Sequence, residues 1–384
     1  MVKKKILIRI GSLRHGGAEK VLATFLKNLP KDKYEIDLLL NLYSGKYLAE
    51  IPDWINVLYL NKGEMITTNR LQDIPEKAYR VVYQKLLKKF PKLLYNGKLK
   101  GKKYDIELAA IHGFRDEILN SPISSSKKIV WIHNDLRKTE FHNYTDDEIR
   151  KFFGFDKILV ISEQIQEDFE NLAKNEDEKS RIVRIYNPLD TEEILTKSEK
   201  PIENYEFESK IPTFISVGTV FPQKAFDRLL KVHKRLLDDG FPHKILIVGD
   251  GYDFENIKKL KSDLKVDDTA TLLGFTNNPY PYFKKTDFYV LSSRYEGFPT
   301  VLFEAIMLKK NIISTEVSGA SEMLENGKLG MIVENSEDGI YNGMRTALEN
   351  PNSFEEYQKN LESYEVPFTL KNSVSSIEKI LDSL

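Results

Sequence analysis

Glu296 and Glu304 lie eight residues apart in the stretch Phe288 to Lys310, FYVLSSRYEGFPTVLFEAIMLKK. They flank a polar turn containing Gly297 and Pro299, which leads into the apolar-periodic segment Thr300 to Leu308. The first N–H groups of a helix have no internal partner, and the helix dipole places partial positive charge there, so such a turn can hold phosphate. Pro299 suits the start of the helix, where its missing N–H costs nothing. Gly297 lets a ligand come close to the backbone. Two carboxylates beside a phosphate would repel it and are better placed to accept hydrogen bonds from hydroxyls. The natural assignment is one carboxylate for a sugar and one for a ribose. Glu296, in a loop at the mouth of a strand, is expected to be only modestly buried. An ordinary strand–turn–helix with Glu304 in solvent fits the same pattern.

These residues need a scaffold of alternating strands and helices. Phe288 to Leu291 has the continuous apolar character of a buried parallel strand. Further strands are expected at Thr213 to Val217, Ile245 to Val248, Leu272 to Phe275 and Ile312 to Thr315, with a helix from Phe226 to Leu237. In the first half, the strand Lys5 to Ile10 leads through a loop with Gly11, Gly16 and Gly17 into a helix, Ala18 to Leu29. Strand-like runs follow at Ile36 to Leu40, Val57 to Leu60, Ile106 to Ile111, Ile129 to His133, Ile158 to Ile161 and Ile182 to Ile185. Strands alternating with helices imply an α/β protein with parallel sheets covered on both faces. Ligands bind beyond the carboxyl ends of such strands, which points His133 toward a cleft. At 384 residues, a norm of roughly 150 per domain suggests two domains.

The motifs around Glu296 and Glu304 resemble those of retaining glycosyltransferases of family 4. Glu296 to Glu304 matches the E-x7-E motif in an EGFP setting. Val248-Gly249-Asp250-Gly251, Leu273-Gly274-Phe275, Ser318 to Leu324 (SGASEML) and Gly330 to Val333 (GMIV) also match. Together they cover most of residues 211–335. The first half matches more loosely, through Gly16-Gly17-Ala18-Glu19 and Trp131-Ile132-His133, and through turns at Ser162-Glu163 and Asn187-Pro188-Leu189-Asp190 that read as structural. The resemblance implies a GT-B fold, with two Rossmann-like domains facing across a central cleft. Residues 1–190 would be the acceptor-binding domain, 191–211 a linker and 212–366 the nucleotide-sugar domain. Residues 367–384, beginning at the chain-breaking Pro367, would form a terminal helix crossing back to the first domain.

The resemblance also implies roles. Lys224, the N–H groups of Thr300 and Val301, and the dipole of their helix would hold a diphosphate. Glu304 would take the ribose hydroxyls. Glu296, with the N–H groups of Gly297 and Phe298, would position the donor sugar, and His133 would meet it from the other domain. Glu296, His133 and Lys224 are thus the expected catalytic set. Gly16 and Gly17 would line the cleft opposite the diphosphate, and Phe275 would form part of the nucleobase wall. The family has an arginine where this chain has Thr219, and Arg294 or Arg14 is a candidate to replace it. The sequence has no D-x-D or other metal-binding cluster, so neither a metal nor a cofactor is expected, only a nucleotide-sugar substrate. The implied reaction is metal-independent transfer of a hexosyl or N-acetylhexosaminyl group, from a UDP-sugar by preference, to a glycan or lipid-linked acceptor in cell-surface polysaccharide or glycolipid synthesis of bacterial type. The alternatives are a catalytically weakened partner subunit, suggested by Thr219, and a GT-B nucleotide-sugar epimerase.

Composition adds the compartment. The chain has no cysteine, so no disulfide framework or thiolate metal site is available. Arg9 interrupts the first apolar run, so no signal-peptide core forms, and no apolar stretch reaches the ~18 residues of a membrane span. A cytoplasmic protein is expected. The net charge of −1 conceals an asymmetry, with +5 on residues 1–199 and −6 on the remainder. Lys77 to Lys103 holds ten basic residues and no acidic one. Within it, Tyr79, Val82, Tyr83, Leu86, Leu87, Phe90, Leu93 and Leu94 recur at helical spacing, opposite Lys77, Arg80, Lys85, Lys88, Lys89 and Lys92, and Pro91 should end or kink the helix. Two readings fit: a helix packed on the core by its apolar face with a solvated basic back, or an amphipathic segment on an anionic membrane surface at the inner side of the cell membrane. They can coexist, with the apolar face on the domain and the basic face toward the lipid. No nucleic-acid partner is expected.

Overall fold

The computed structural model describes residues 3–384 except 15, 64–73, 139–141, 188–189, 203–204, 209–210 and 367–368. Pro188, Leu189 and Pro367, singled out above, lie outside the described residues. Among the described residues, thirteen strands form two sheets in which every pairing is parallel. The first contains β1 (Lys4–Ile10), β2 (Tyr34–Tyr43), β3 (Asn56–Lys62), β4 (Ile106–Ala109), β5 (Lys127–Ile132), β6 (Lys157–Val160) and β7 (Ile182–Arg184), in the order 3-2-1-4-5-6-7. The second contains β8 (Thr213–Val217), β9 (Lys244–Val248), β10 (Ala270–Gly274), β11 (Phe288–Leu291), β12 (Asn311–Thr315) and β13 (Met331–Val333), in the order 10-9-8-11-12-13.

Each sheet therefore reverses its strand order once, between β1 and β4 and between β8 and β11. A crevice opens outside the carboxyl ends of the strands at such a point, and ligands bind there. In the second sheet, the loop after β8 delivers Thr219 and Lys224, and the loop after β11 delivers Glu296 and Gly297. In the first, the loop after β1 ends in Gly16 and leads into the helix Gly17–Asn28, and His133 directly follows β5. The topology is that of two Rossmann-like domains, the GT-B arrangement.

The central strands are mostly apolar because helices cover both faces of each sheet. β11 is buried at every residue, with Tyr289 and Val290 fully enclosed. In β1 one charge lies among the buried apolar residues: Arg9 is fully buried. Its guanidinium pairs with the buried Glu117 and donates to the Leu39 carbonyl (2.6 Å) and to Asn41 Oδ1 (2.9 Å). The residue that breaks the apolar run in sequence is thus a paired core charge.

Between the sheets, the segment expected as a linker is partly helical: Thr191–Ser198 is capped by Asp190, and its Ile194 is buried. The last helix, Leu370–Ser383, returns to the first domain. Tyr34 Oη donates to Asp382 (2.7 Å), Lys33 pairs with Asp382 (3.0 Å), and Lys4 Nζ donates to the Leu381 carbonyl (2.6 Å).

The basic segment departs from expectation. A helix runs from Ile74 to Lys89 and a short one from Lys92 to Asn96, with the break at Phe90-Pro91. Its apolar residues do not share one buried face. Leu87 and Leu94 are buried beside Leu7, Leu39 and Tyr104, and Tyr83 packs on that cluster. Tyr79, Val82, Leu86, Phe90 and Leu93 are instead exposed, on the same outer surface as Lys85, Lys89 and Lys92. Among the described residues, no helix is long and apolar enough to cross a membrane.

Candidate active site

Glu296 is 7% exposed, which corrects the expectation of a loosely held loop carboxylate. Its environment explains the burial. Lys224 Nζ lies 2.5 Å from Glu296 Oε1, Ser293 Oγ donates to the same oxygen at 2.6 Å, and the Gln223 side-chain amide donates to Oε2 at 3.3 Å. The aliphatic stem of Lys224 crosses Gly218, where a Cβ would meet it at 3.1 Å. Glycine after β8 therefore makes room for the lysine. Two residues read separately from the sequence, one for sugar and one for phosphate, form a single ion pair. An ammonium has three donors, so Lys224 can hold Glu296 and still reach a phosphate oxygen.

Glu304 lies inside the helix Thr300–Met307 and is 5% exposed, so it is not the solvated residue that the simplest reading allowed. Pro299 stands at the N-cap, and the first internal helical donor is Leu302 N–H, bonded to the Pro299 carbonyl (2.8 Å). The Thr300 and Val301 N–H groups precede it, at the positive end of the helix. Glu304 Oε1 accepts from Tyr280 Oη (3.1 Å) and from Lys20 Nζ (2.9 Å). Lys20 belongs to the helix Gly17–Asn28 of the first domain, so this pair bridges the cleft. Burial alone would draw the Lys20 ammonium below its ordinary range, but Glu304 and Tyr280 hold it well above. No motif pointed to Lys20; only the position of its helix at the sheet's reversal point could have.

His133 comes from the opposite side, as expected. Its ring is 8% exposed and lies against Trp131, with centroids 4.9 Å apart. Burial pushes its pKa down to about 3, against an opposing backbone hydrogen bond to Ala110, so the imidazole is neutral near pH 7. Its Nε2 is buried and has no partner among the described residues. With the other ring nitrogen engaged by backbone, Nε2 is left to accept a hydrogen bond from a ligand hydroxyl.

Gly297 has a different reason from the one expected. A Cβ there would lie 2.2 Å from the His133 carbonyl oxygen, so it is the first domain's backbone that approaches closely. Phe298 is buried against Tyr186 (centroids 5.4 Å apart), and only its backbone can serve a ligand. Gly16 is the N-cap of the helix Gly17–Asn28, and a Cβ on it would strike the Glu19 carboxylate, while the same position on Gly17 opens into empty space. Phe275 is 46% exposed, with Lys46 Nζ 4.5 Å from its ring centre.

Arg294 does not fill the place left by Thr219. Its guanidinium is bidentate to Asp227 (2.9 and 2.8 Å) and donates to the Pro222 carbonyl (2.5 Å). The SGASEML segment also has a role that the sequence did not show. Glu322 accepts from the Glu163 N–H (2.7 Å) and from Tyr186 Oη, and pairs with Arg184 (3.4 Å), while Ser318 Oγ meets Ser162 Oγ at 3.4 Å. Both the Ser162-Glu163 turn and this loop thus join the domains beside the cleft.

The geometry bears on a prediction for Glu304. Replacing it with Gln should raise the Kd for free nucleoside diphosphate about tenfold or more, because a hydrogen bond to a charged group is worth roughly 1.5–3 kcal/mol. Isothermal titration would show this, and an unchanged Kd would remove Glu304 from the ribose site.

Comparison with known proteins places this arrangement. The family model "Glycosyl transferases group 1" matches residues 197–364. An N-acetylgalactosamine-N,N'-diacetylbacillosaminyl-diphospho-undecaprenol 4-alpha-N-acetylgalactosaminyltransferase of Campylobacter jejuni is 27% identical over 353 residues, 90% of each chain. Among solved structures, Anabaena HepE in complex with UDP and glucose superposes with a TM-score of 0.72 at 17% identity, covering 99% of this chain and all of that one. Sucrose-phosphate synthase of Thermosynechococcus elongatus gives 0.72 at 14% identity, covering 99% of each. These structural likenesses carry the fold.

Proposed function

We propose that this protein, whose residues 197–364 match the family model "Glycosyl transferases group 1", is a retaining, metal-independent glycosyltransferase. It moves a hexosyl or N-acetylhexosaminyl group from a UDP-sugar to a lipid-linked or glycan acceptor in cell-surface glycan assembly of bacterial type. The observation that carries the reading is the Glu296–Lys224 pair beside the Thr300–Met307 helix N-terminus, with the open Nε2 of His133 opposite. Glu296 places the sugar hydroxyls and holds Lys224. Lys224 and the helix N-terminus stabilise the charge that grows on the leaving diphosphate, where preorganised groups lower a barrier most. His133 accepts a sugar hydroxyl. The leaving phosphate takes the acceptor's proton as the new glycosidic bond forms on the same face. The Campylobacter relative, whose name specifies an undecaprenol diphosphate acceptor, supports a lipid-linked acceptor here, and HepE with bound UDP supports a uridine donor.

The acceptor reading adds a location. We place the enzyme in the cytoplasm, docked on anionic lipid through the helix Ile74–Lys89 and the turn into the short helix Lys92–Asn96. Its exposed Tyr79, Val82, Leu86 and Phe90 can enter the interface while Lys85, Lys89 and Lys92 meet lipid headgroups.

The test is incubation with a panel of nucleotide-sugars, with and without lipid-linked and soluble acceptors. Transfer that requires acceptor is expected. Sugar epimerisation without acceptor, or no chemistry with any donor, would overturn the reading. A thermal-shift screen finds the donor first, since a nucleotide at 100 times its Kd adds about 2.7 kcal/mol of stability.

A further inference from the structure

Thr219 leaves the diphosphate clamp one cation short, and the structure shows which groups can supply it. Arg294 is held bidentate by Asp227. Arg14 has its Nε buried and lies within the field of Glu19, whose carboxyl burial has pushed up. Lys224 is present but serves Glu296 as well. Lys20 is a further cation that reaches the second domain's ligand face, as Lys46 over Phe275 is, and it alone of the two lies at Glu304. Its Nζ crosses the cleft to Glu304 Oε1 (2.9 Å) and Tyr280 Oη (3.1 Å), and its side chain remains 34% exposed.

We propose that Lys20 is a donor-binding residue supplied by the first domain, and that it completes the diphosphate clamp in place of the missing arginine. The inference rests on the nucleotide-sugar reading above. Glu304 is the ribose carboxylate in that reading, so an arriving ribose takes the oxygen that Lys20 now holds. The phosphates lie on the 5′ side of the same ribose, a few bonds away, and the four-carbon stem of a lysine lets the ammonium turn to them. The exchange conserves charge pairing: Glu304 passes from an ammonium to hydroxyls, and the ammonium passes from a carboxylate to a phosphate. It also links nucleotide binding to the first domain, because the cation comes from across the cleft.

The experiment compares a nucleoside with its diphosphate. The wild type is titrated calorimetrically with UDP, GDP, ADP and dTDP, and the tightest binder is taken forward with its parent nucleoside, uridine being expected. If none binds, the nucleotide-sugar reading itself fails, and the inference with it. Lys20→Met should weaken diphosphate binding about tenfold or more and leave nucleoside binding unchanged or tighter, since Glu304 is released. Lys20→Arg should bind the diphosphate like wild type, and adding Thr219→Arg to Lys20→Met should restore it. Lys20→Gln repeats the comparison should the methionine variant fold poorly. Equal weakening of nucleoside and diphosphate would make Lys20 a support for Glu304 only and overturn the proposal. Diphosphate binding that is unchanged or tighter would make it a competitor of the nucleotide and overturn it equally.

Discussion

Glu296→Gln should reduce sugar transfer by a factor of about 10² to 10³ while leaving the protein folded. That range matches the loss of a preorganised polar contact at a reacting centre. The amide keeps the shape of the side chain and can still accept from Lys224 and Ser293, so the local packing survives. What disappears is the negative charge that holds Lys224 and that, in the proposed role, takes the sugar hydroxyls. Alanine is the less informative change. It would leave the Lys224 ammonium without its partner in a largely buried place, and breaking a buried pair can cost about 3–5 kcal/mol, so lost activity could reflect lost fold. Steady-state rates at saturating donor, with a melting curve on the same preparation, decide the matter. Wild-type turnover by a folded Glu296→Gln protein would remove Glu296 from the chemistry.

The second large effect concerns the lipid surface. Changing Lys85, Lys89 and Lys92 together to Gln should weaken binding to vesicles containing anionic lipid about a hundredfold. Each basic residue near such a surface contributes about 1 kcal/mol. The wild type should bind tightly at low salt and let go as salt shortens the Debye length. Because the apolar residues Leu86 and Phe90 are exposed beside the lysines, some binding should persist at high salt. Replacing both with Ser should abolish that remainder. Co-sedimentation with and without phosphatidylglycerol reads both components. Wild type that ignores anionic vesicles, or a triple variant that binds equally well, would make this helix a solvated face and favour a soluble acceptor.

Much of the scaffold was legible because its signals are local. An apolar run such as Phe288 to Leu291, followed by a polar turn and a helical period, identifies a strand, a loop and a helix from adjacent residues alone. The E-x7-E spacing is equally local. What the sequence hid was where side chains meet across long separations. Lys20 and Glu304 are 284 residues apart and carry no shared motif. The burial of Glu296 depends on Lys224 and Ser293 converging on it, which no window of sequence displays. Periodicity also misled in the basic segment. It marked the apolar residues of a helix correctly but not which of them face protein, because the helix lies shallowly on the Leu7–Leu39 cluster and buries only Leu87 and its neighbours. Arg9 shows the converse: a charge in an apolar run read as an interruption, although Glu117 waited for it in the core.

The return of the last helix to the first domain has a mechanical consequence. The polypeptide passes between the domains once between Arg184 and Thr213, and again between Ser363 and Leu370. A single connection would act as a tether and leave the domains free to turn about three axes. Two separate connections define a line, and rotation about that line is the one motion that stretches neither. Any hinge motion of the two domains would therefore be easiest about that line. The bonds of Lys4, Lys33 and Tyr34 to the terminal helix fix one end of that axis to the first sheet. A turn about that line would part Lys20 from Glu304, and the His133 backbone from Gly297, together.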